Sequence, residues 1–162
     1  MANWLMKSEP DVFSIDDLQD APKKTTMWDG IRNYQVRNMM RDIMQKGDRV
    51  FYYHSNCKVP GIYGVAEIAS KAAYPDPTQF DPNDGHYDAG SNPSDPRWLV
   101  VDVRYKRHLK RPISLSELRD HAPGLGDFAL IRRANRLSVM PVTDAQWSYI
   151  VDLEATPHPE RG

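Results

Sequence analysis

The sequence predicts an α+β domain built around one strongly bent sheet or small barrel. Several apolar, strand-like runs occur along the 162 residues, with a few short helical patterns between them. The two kinds of element do not alternate regularly, as they would in a parallel α/β sheet. A chain of this length can form one domain with a substantial core. We expect that domain to span residues 1–153, followed by a polar tail at 154–162.

The first half of the chain begins with a strand, predicted by the apolar run at residues 4–6. Ser14 is followed three residues later by a carboxylate, a capping spacing that predicts a short helix. Residues 33–46 carry apolar side chains at helical spacing, so they predict a longer helix that Gly47 ends. Two more strands are predicted by aromatic and β-branched runs at residues 50–53 and 62–68.

The second half offers another strand at residues 98–105. Capping spacings then predict helices that begin near Ser114 and Thr143, the first continuing to residue 120. Between these helices, residues 137–140 predict a late strand that Pro141 closes. The last helix carries its apolar side chains on one face, namely Trp147, Ile150 and Val151.

The segment 75–96 shows no periodicity, and it holds five prolines, five aspartates and no lysine or arginine. A structureless segment of this length is typical of a functional lid, although a passive surface loop fits equally well. The whole chain has a net charge of −1, but this loop contributes −5, the tail −1, and the rest +5. This balance disfavours indiscriminate coating of nucleic acid and is compatible with selective binding along one side.

Cysteine and histidine usage disfavours several classes of site. Cys57 is the single cysteine, so no internal disulfide can form and a reducing, cytoplasmic location is expected. The histidines are scattered without zinc-ligand spacing, and no glycine-rich phosphate loop occurs, so we expect neither metal nor cofactor. No signal peptide or membrane span is predicted.

Three segments combine aromatic with polar side chains, at residues 4–10, 28–34 and 52–56. Aromatic faces and hydrogen-bonding groups together suit a planar, polar ligand, of which a nucleobase is the obvious example. A purely structural role is also open for each segment. The tryptophans Trp4 and Trp28 could belong to the core, Asn33 could cap a helix, and residues 55–56 could form an ordinary turn.

These segments resemble the EVE domain family. The resemblance rests on residues 4–10, 28–35, 51–56, 74–80, 96–98 and 135–139, whose order and spacing match over nearly the whole chain. It implies a PUA-like fold, a small bent β-barrel flanked by short helices and related to the YTH domains. It also implies a non-enzymatic reader of modified bases, chiefly modified cytosine in DNA, with modified RNA also proposed.

The resemblance further implies a set of pocket residues. These are Trp4, Lys7, Ser8, Glu9, Trp28, Asp29, Arg32, Asn33, Tyr34, His54, Ser55, Asn56 and Ser138. By analogy with YTH domains, Trp28 would form one wall of an aromatic cage and Asn33 would contact the base edge. The opposite wall would come from the loop after residue 68, which offers only Tyr74, Phe80 and Tyr87.

Basic residues in two groups are candidates for contact with a nucleic-acid backbone. Arg132, Arg133 and Arg136 are the preferred group, whereas the basic residues between 104 and 111 could equally form a solvated face or protect a strand edge. The expected partner is a nucleic acid carrying a modified base, bound by a monomer and not at a membrane. Two other hypotheses remain: an enzyme acting on nucleic acid or nucleotides that uses His54, Cys57 or Glu9, and a protein-interaction module that docks through the 75–96 loop.

Overall fold

The computed structural model describes residues 1–133 and 135–157. Its strands are β1 (Asn3–Ser8), β2 (Thr25–Met27), β3 (Arg49–His54), β4 (Gly61–Ile68), β5 (Tyr74–Pro75), β6 (Leu99–Val100), β7 (Asp102–Ser114) and β8 (Val139–Val142). Six of them form one sheet in the order β2-β7-β4-β3-β1-β8, which curls strongly into a half-barrel flanked by helices. β1 and β3 are parallel, and the other neighbours in this sheet are antiparallel. The predicted α+β class and bent sheet are confirmed.

The helices are short and lie around this sheet. They are α1 (Pro10–Phe13), α2 (Ile15–Asp20), α3 (Tyr34–Asp42), α4 (Leu115–Asp120), α5 (Ala122–Leu125) and α6 (Asp144–Leu153), with 3-10 turns at Pro22–Lys24, Pro77–Phe80 and Ala129–Ile131. The capping predictions hold, because Ser14 accepts from the Asp17 amide and Thr143 accepts from the Gln146 amide.

The strands β1, β3 and β4 are buried on both faces, which explains why they are largely apolar runs, whereas β7 alternates buried with exposed residues. Successive side chains of a strand point to opposite faces. Trp4 therefore packs in the core with α3, whereas Leu5 packs in the core with α6. On the α6 side, the rings of Phe51 and Trp147 stack with their centroids 3.7 Å apart. These two cores hold the ends of β1 and β3 rigidly where the candidate site begins.

The helix predicted at residues 33–46 is shorter in the structure. Asn33 caps it, but regular helix ends at Asp42, and Ile43 leaves the helical conformation with 54% of its surface exposed. This early end turns Met44 into the core, with its amide still bonded to the Met39 carbonyl. Gly47 therefore lies in the turn before β3, with φ +92°, and not at the helix end.

Two strand predictions also need correction. The run at 98–105 is split at Val101, whose carbonyl accepts from the Trp28 amide at 2.8 Å, and β7 then continues to Ser114. Pro141 does not close the late strand but lies inside β8, opposite Trp4. A proline is tolerated there because β8 is an edge strand of the sheet.

The predicted tail begins with packed residues. Glu154 is 7% exposed, and its carboxylate accepts from the Arg107 guanidinium at 2.8 Å. The Thr156 carbonyl accepts from Arg111 at 2.7 Å, which ties this segment to β7. Residues 158–162 lie outside the described residues.

Candidate functional site

A surface cleft of about 420 Å³ opens where the carboxyl end of β1 meets α1, β2 and the long loop after β5. It is lined by Lys7, Ser8, Val12, Phe13, Thr26, Met27, Trp28, Asp29 and His86. Its volume lies within the range typical of small-ligand pockets. Four of the sequence-predicted site residues therefore line one cleft: Lys7, Ser8, Trp28 and Asp29.

Ser8 and Tyr52 fix the wall that β1 and α1 provide. Both hydroxyl groups donate to the Phe13 carbonyl, each at 2.7 Å. Because the Ser8 hydrogen is engaged in this way, a ligand could bond to Ser8 only by donating to its oxygen, which also lies close to the Tyr52 hydroxyl. The Ser55 amide donates to the Ser8 carbonyl at 3.0 Å, so β3 supports the same wall from behind.

Trp28 follows β2 directly and forms an aromatic part of the lining. It is 8% exposed, and its ring packs edge-on against Tyr52 with the centroids 5.5 Å apart. Its amide is held by the Val101 carbonyl. Trp28 is thus part of the core and also lines the cleft, so it has both of the roles, structural and ligand-binding, that the sequence left open.

Arg32 does not line the cleft but joins its loop to the segment 75–96. One guanidinium nitrogen donates to Asp76 at 3.0 Å, and another donates to the His86 carbonyl at 2.6 Å. Asp76 is fully buried and also accepts from the Gly30 amide at 2.9 Å and the Thr78 amide at 2.8 Å. Burial acts to raise the pKa of Asp76, but these hydrogen bonds outweigh it and leave the pKa below its ordinary value.

His86 is the residue of the long loop that reaches the cleft. Its ring packs on Gly30, where an added Cβ would lie 2.8 Å from the imidazole, and Gly30 has φ +81°. The Asp84 carboxylate accepts from the His86 amide at 2.8 Å and lies 3.2 Å from ring atom Nδ1. The wall expected from Tyr74, Phe80 or Tyr87 is thus provided by an imidazole.

The rest of this loop is ordered by its own side chains. Gln79 is fully buried and donates to the carbonyls of Asp76 and Trp98 at 2.7 and 2.8 Å. The Trp98 indole donates to Asp88 at 2.8 Å. These internal hydrogen bonds order the loop, which acts as a lid, and so keep His86 in its place on the cleft.

Two charged groups of opposite sign line the cleft. Partial burial lowers the pKa of Lys7, whose ammonium lies 5.8 Å from the centroid of the Tyr53 ring. Partial burial also raises the pKa of Asp29, and the negative charge of Asp76 adds to the effect. The site therefore combines a cationic donor, an anionic acceptor and an aromatic wall.

Trp4 and His54 belong to the interior and not to the cleft. Trp4 is 2% exposed, and its indole donates to the buried Asp48 carboxylate at 2.9 Å. His54 is 6% exposed, and its Nε2 accepts from the Ile15 amide at 3.1 Å. Burial lowers the pKa of His54. The resemblance implied that both residues belong to the pocket, because each lies within one of the matching segments.

The predicted residues at the carboxyl end of β3 lie outside the lining. Asn56 has φ +51° and donates to the Glu9 carboxylate at 2.8 Å, which ties the β3–β4 turn to the start of α1. Ser55 contributes its amide to Ser8, and Cys57 is half-buried in the same turn. These residues support the Ser8 wall from outside the cleft.

The amino end of α3 also lies outside the lining. The Asn33 side chain caps the helix by accepting from the Val36 amide at 3.0 Å, which is the structural role left open by the sequence. Tyr34 is 51% exposed and lies over Trp98, with ring centroids 4.8 Å apart.

Ser138 lies beside the β1 end of the cleft, and the arginines precede it in the same segment of the chain. The Ser138 carbonyl accepts from the Lys7 amide at 2.8 Å. Arg133 and Arg136 are exposed, and the exposed Arg132 pairs with Asp127 at 2.8 Å. The other basic group is largely neutralised, by the pairs Arg104–Glu67, Lys106–Glu67, Arg107–Glu154 and Arg111–Glu117.

Sequence reasoning missed five of the lining residues: Val12, Phe13, Thr26, Met27 and His86. For His86, the signal was the long ordered loop, although nothing in its sequence singled out the histidine. The other four lie on α1 and β2, which are short and have no pattern strong enough to predict their position. Among the described residues, no histidine, cysteine and carboxylate group has the arrangement of a metal site.

Comparison with known proteins identifies the family. A model of the EVE domain matches residues 2–153. The chain belongs to the EVE domain family. Human thymocyte nuclear protein 1 is 46% identical over 169 residues, which cover 94% of this chain and 74% of that protein.

Solved structures of similar proteins superpose closely on this fold. The crystal structure of human THYN1 in complex with 5-methylcytosine-containing DNA has a TM-score of 0.92 and 44% identity, covering 98% of this chain and all of that chain (100%). A Pseudomonas syringae protein gives a TM-score of 0.88 and 44% identity, covering 94% of this chain and 99% of that chain. Over residues 1–133 and 135–157, no helix is long and apolar enough to span a membrane, and the cytoplasmic location stays a prediction.

Proposed function

We propose that this EVE domain reads a modified cytosine in DNA by taking one extruded base into the cleft, without changing the base chemically. The observation that carries the proposal is the combination of the Trp28 wall with polar groups in one open cleft of suitable volume. A similar human protein has been crystallised with 5-methylcytosine-containing DNA, which supports the choice of base.

The energetics favour recognition of a whole base over recognition of its methyl group alone. Extrusion of a base from a duplex costs a few kcal/mol, and stacking on an aromatic side chain returns about 1–3 kcal/mol. Burial of one methyl group adds only about 0.8 kcal/mol, roughly a fourfold change in Kd. Polar groups such as Ser8 must therefore supply most of the selectivity, because a wrong base leaves them unpaired.

Phosphate contacts would come from the basic side of the cleft. Arg133 and Arg136 are exposed, and Ser138 joins their segment to Lys7. The loop 75–96 lines the cleft through His86 and stays net negative even with Asp76 paired to Arg32 and Asp88 paired to Arg97, so it would repel a phosphate chain. A single DNA strand would then cross the cleft on the Lys7 side only.

The placement of the candidate catalytic residues supports binding without chemistry. The Nε2 lone pair of His54 is used by the Ile15 amide, and the carboxylate of Glu9 is bonded to Asn56. Neither residue lines the cleft, and Cys57 does not line it either. The polar groups of the long loop are largely used internally, which favours a lid over a docking surface for proteins.

Fluorescence anisotropy with labelled duplexes tests the proposal. Duplexes with one central 5-methylcytosine or one unmodified cytosine are titrated with the protein, in parallel with single-stranded DNA and RNA of the same sequence, each with and without the 5-methyl group. We expect 5-methylcytosine DNA to bind most tightly, and Trp28→Phe to retain most of that affinity. Trp28→Leu should weaken binding about tenfold or more through lost stacking. Tightest binding to modified RNA would replace DNA as the partner, and a mass change in the oligonucleotide would contradict the reader hypothesis.

A further inference from the structure

Asp29 is the carboxylate that the structure leaves for a ligand. It lines the cleft, and within the described residues its side chain makes no hydrogen bond or ion pair with another residue. The nearby aspartates of the long loop are all engaged: Asp76 with Arg32, Asp84 with His86, and Asp88 with Trp98. A carboxylate that lines the cleft and has no hydrogen bond or ion pair to another residue is available to a donor group of a ligand.

Lys7 also lines the cleft, but its ammonium group lies over the Tyr53 ring, 5.8 Å from the centroid. Because side chains alternate along β1, Lys7 points to the same face as Leu5, whereas Met6 packs in the core that contains Trp28. Asp29 directly follows Trp28 in the loop after β2. A planar ligand against Trp28 would thus have the Asp29 carboxylate as its charged neighbour.

The Asp29 carboxylate matches one class of base edge. Cytosine presents an exocyclic amino donor, and carboxylates are established acceptors for that amino group. Thymine presents a carbonyl acceptor in place of the amino group. We infer that Asp29 selects bases with an amino group at this edge, so that the cleft binds 5-methylcytosine and rejects thymine. This inference rests on the proposed function.

Thymine is the sharpest competitor because it has the same ring size and the same methyl group as 5-methylcytosine. Stacking on Trp28 and methyl burial are therefore nearly equal for the two bases. Their difference lies at the edge, where the thymine carbonyl would face the Asp29 carboxylate and leave both acceptors without a donor. A single mismatch of this kind changes affinity by about tenfold or more.

The test compares the two bases at one position, each placed opposite an abasic site so that base pairing does not differ. We expect the wild-type protein to bind 5-methylcytosine DNA about tenfold or more tightly than thymine DNA. Asp29→Asn should reduce this ratio to about threefold or less, because a carboxamide can accept from the amino group or donate to the carbonyl. Asp11→Asn is the matched control, since it removes the same charge from an exposed position on α1 and should keep the wild-type ratio.

The outcomes separate the inference from the proposed function. Equal binding of both bases by the wild-type protein, or an unchanged ratio in folded Asp29→Asn, would overturn the inference and leave the reader proposal standing. Failure of the wild-type protein to bind any of the oligonucleotides would overturn the reader proposal as well. If thermal unfolding shows that Asp29→Asn does not fold, Asp29→Ser is used in its place, because serine also removes the negative charge.

Discussion

Replacing Arg32 with alanine removes the link between the cleft loop and the lid. The guanidinium donates to the buried Asp76 carboxylate at 3.0 Å and to the His86 carbonyl at 2.6 and 3.1 Å. Without it, Asp76 keeps neutral donors only, from Gly30 and Thr78. Hydrogen bonds to charged groups contribute about 1.5–3 kcal/mol, and breaking a fully buried pair costs about 3–5 kcal/mol. Because the Arg32 side chain is 23% exposed, we expect a loss of about 3 kcal/mol, at the lower end of the second range.

Thermal and denaturant unfolding measure this loss. For a domain of this size, about 3 kcal/mol corresponds to a fall in Tm of roughly 6–12 °C. Arg32→Lys keeps the charge but loses the planar fork, so it should recover only part of the stability. Arg41→Ala is the matched control, because Arg41 pairs with Asp42 at the surface, with both side chains about half exposed. An exposed pair of this kind contributes little to stability.

Hydrogen exchange shows where the stability is lost. Peptides that cover 77–91 should exchange faster in Arg32→Ala, while peptides from β3 and β4 keep the wild-type protection. Binding of 5-methylcytosine DNA should weaken severalfold, since His86 is no longer held on the cleft. A Tm within 2 °C of wild type, with unchanged exchange in 77–91, would refute the view that Arg32 holds the lid.

Two further changes probe the site and its support. Gly30→Ala should destabilise the protein by about 1–2 kcal/mol and weaken DNA binding, because φ +81° disfavours alanine and its Cβ displaces the His86 ring. Gly85→Ala is the control, because a Cβ at that position meets nothing within 4 Å. Equal Tm values for the two variants would contradict the argument. The pKa of His54 is lowered by burial, so the stability that its neutral form contributes is present above the unfolded value of about 6.5 and is lost as pH falls through the lower folded value. His54→Gln, which keeps an acceptor for Ile15, should flatten this part of the stability–pH curve, and parallel curves for both proteins would contradict a buried neutral histidine.

Local chemistry accounts for the parts of the fold that were predicted well. Ser14 and Thr143 cap their helices as expected, because a hydroxyl and an acceptor three residues apart suffice to form the cap. The strands at 50–53 and 62–68 are found within β3 and β4, since an apolar run is buried wherever the sheet places it. The errors lie where a distant partner decides, as at Val101, whose carbonyl turns to the Trp28 amide.

The same distinction separates the predicted site from the observed cleft. The sequence by itself determined the fold class, the family and the two segments that supply Lys7, Ser8, Trp28 and Asp29, because these depend on residue type and local order. Only the tertiary structure decided that Trp4 and His54 face the interior and that His86, far along the chain, reaches the cleft. That placement depends on the Arg32–Asp76 pair, which joins residues 44 positions apart. Such a contact forms only when the folded chain brings its two residues together, so the local sequence pattern around either residue cannot predict it.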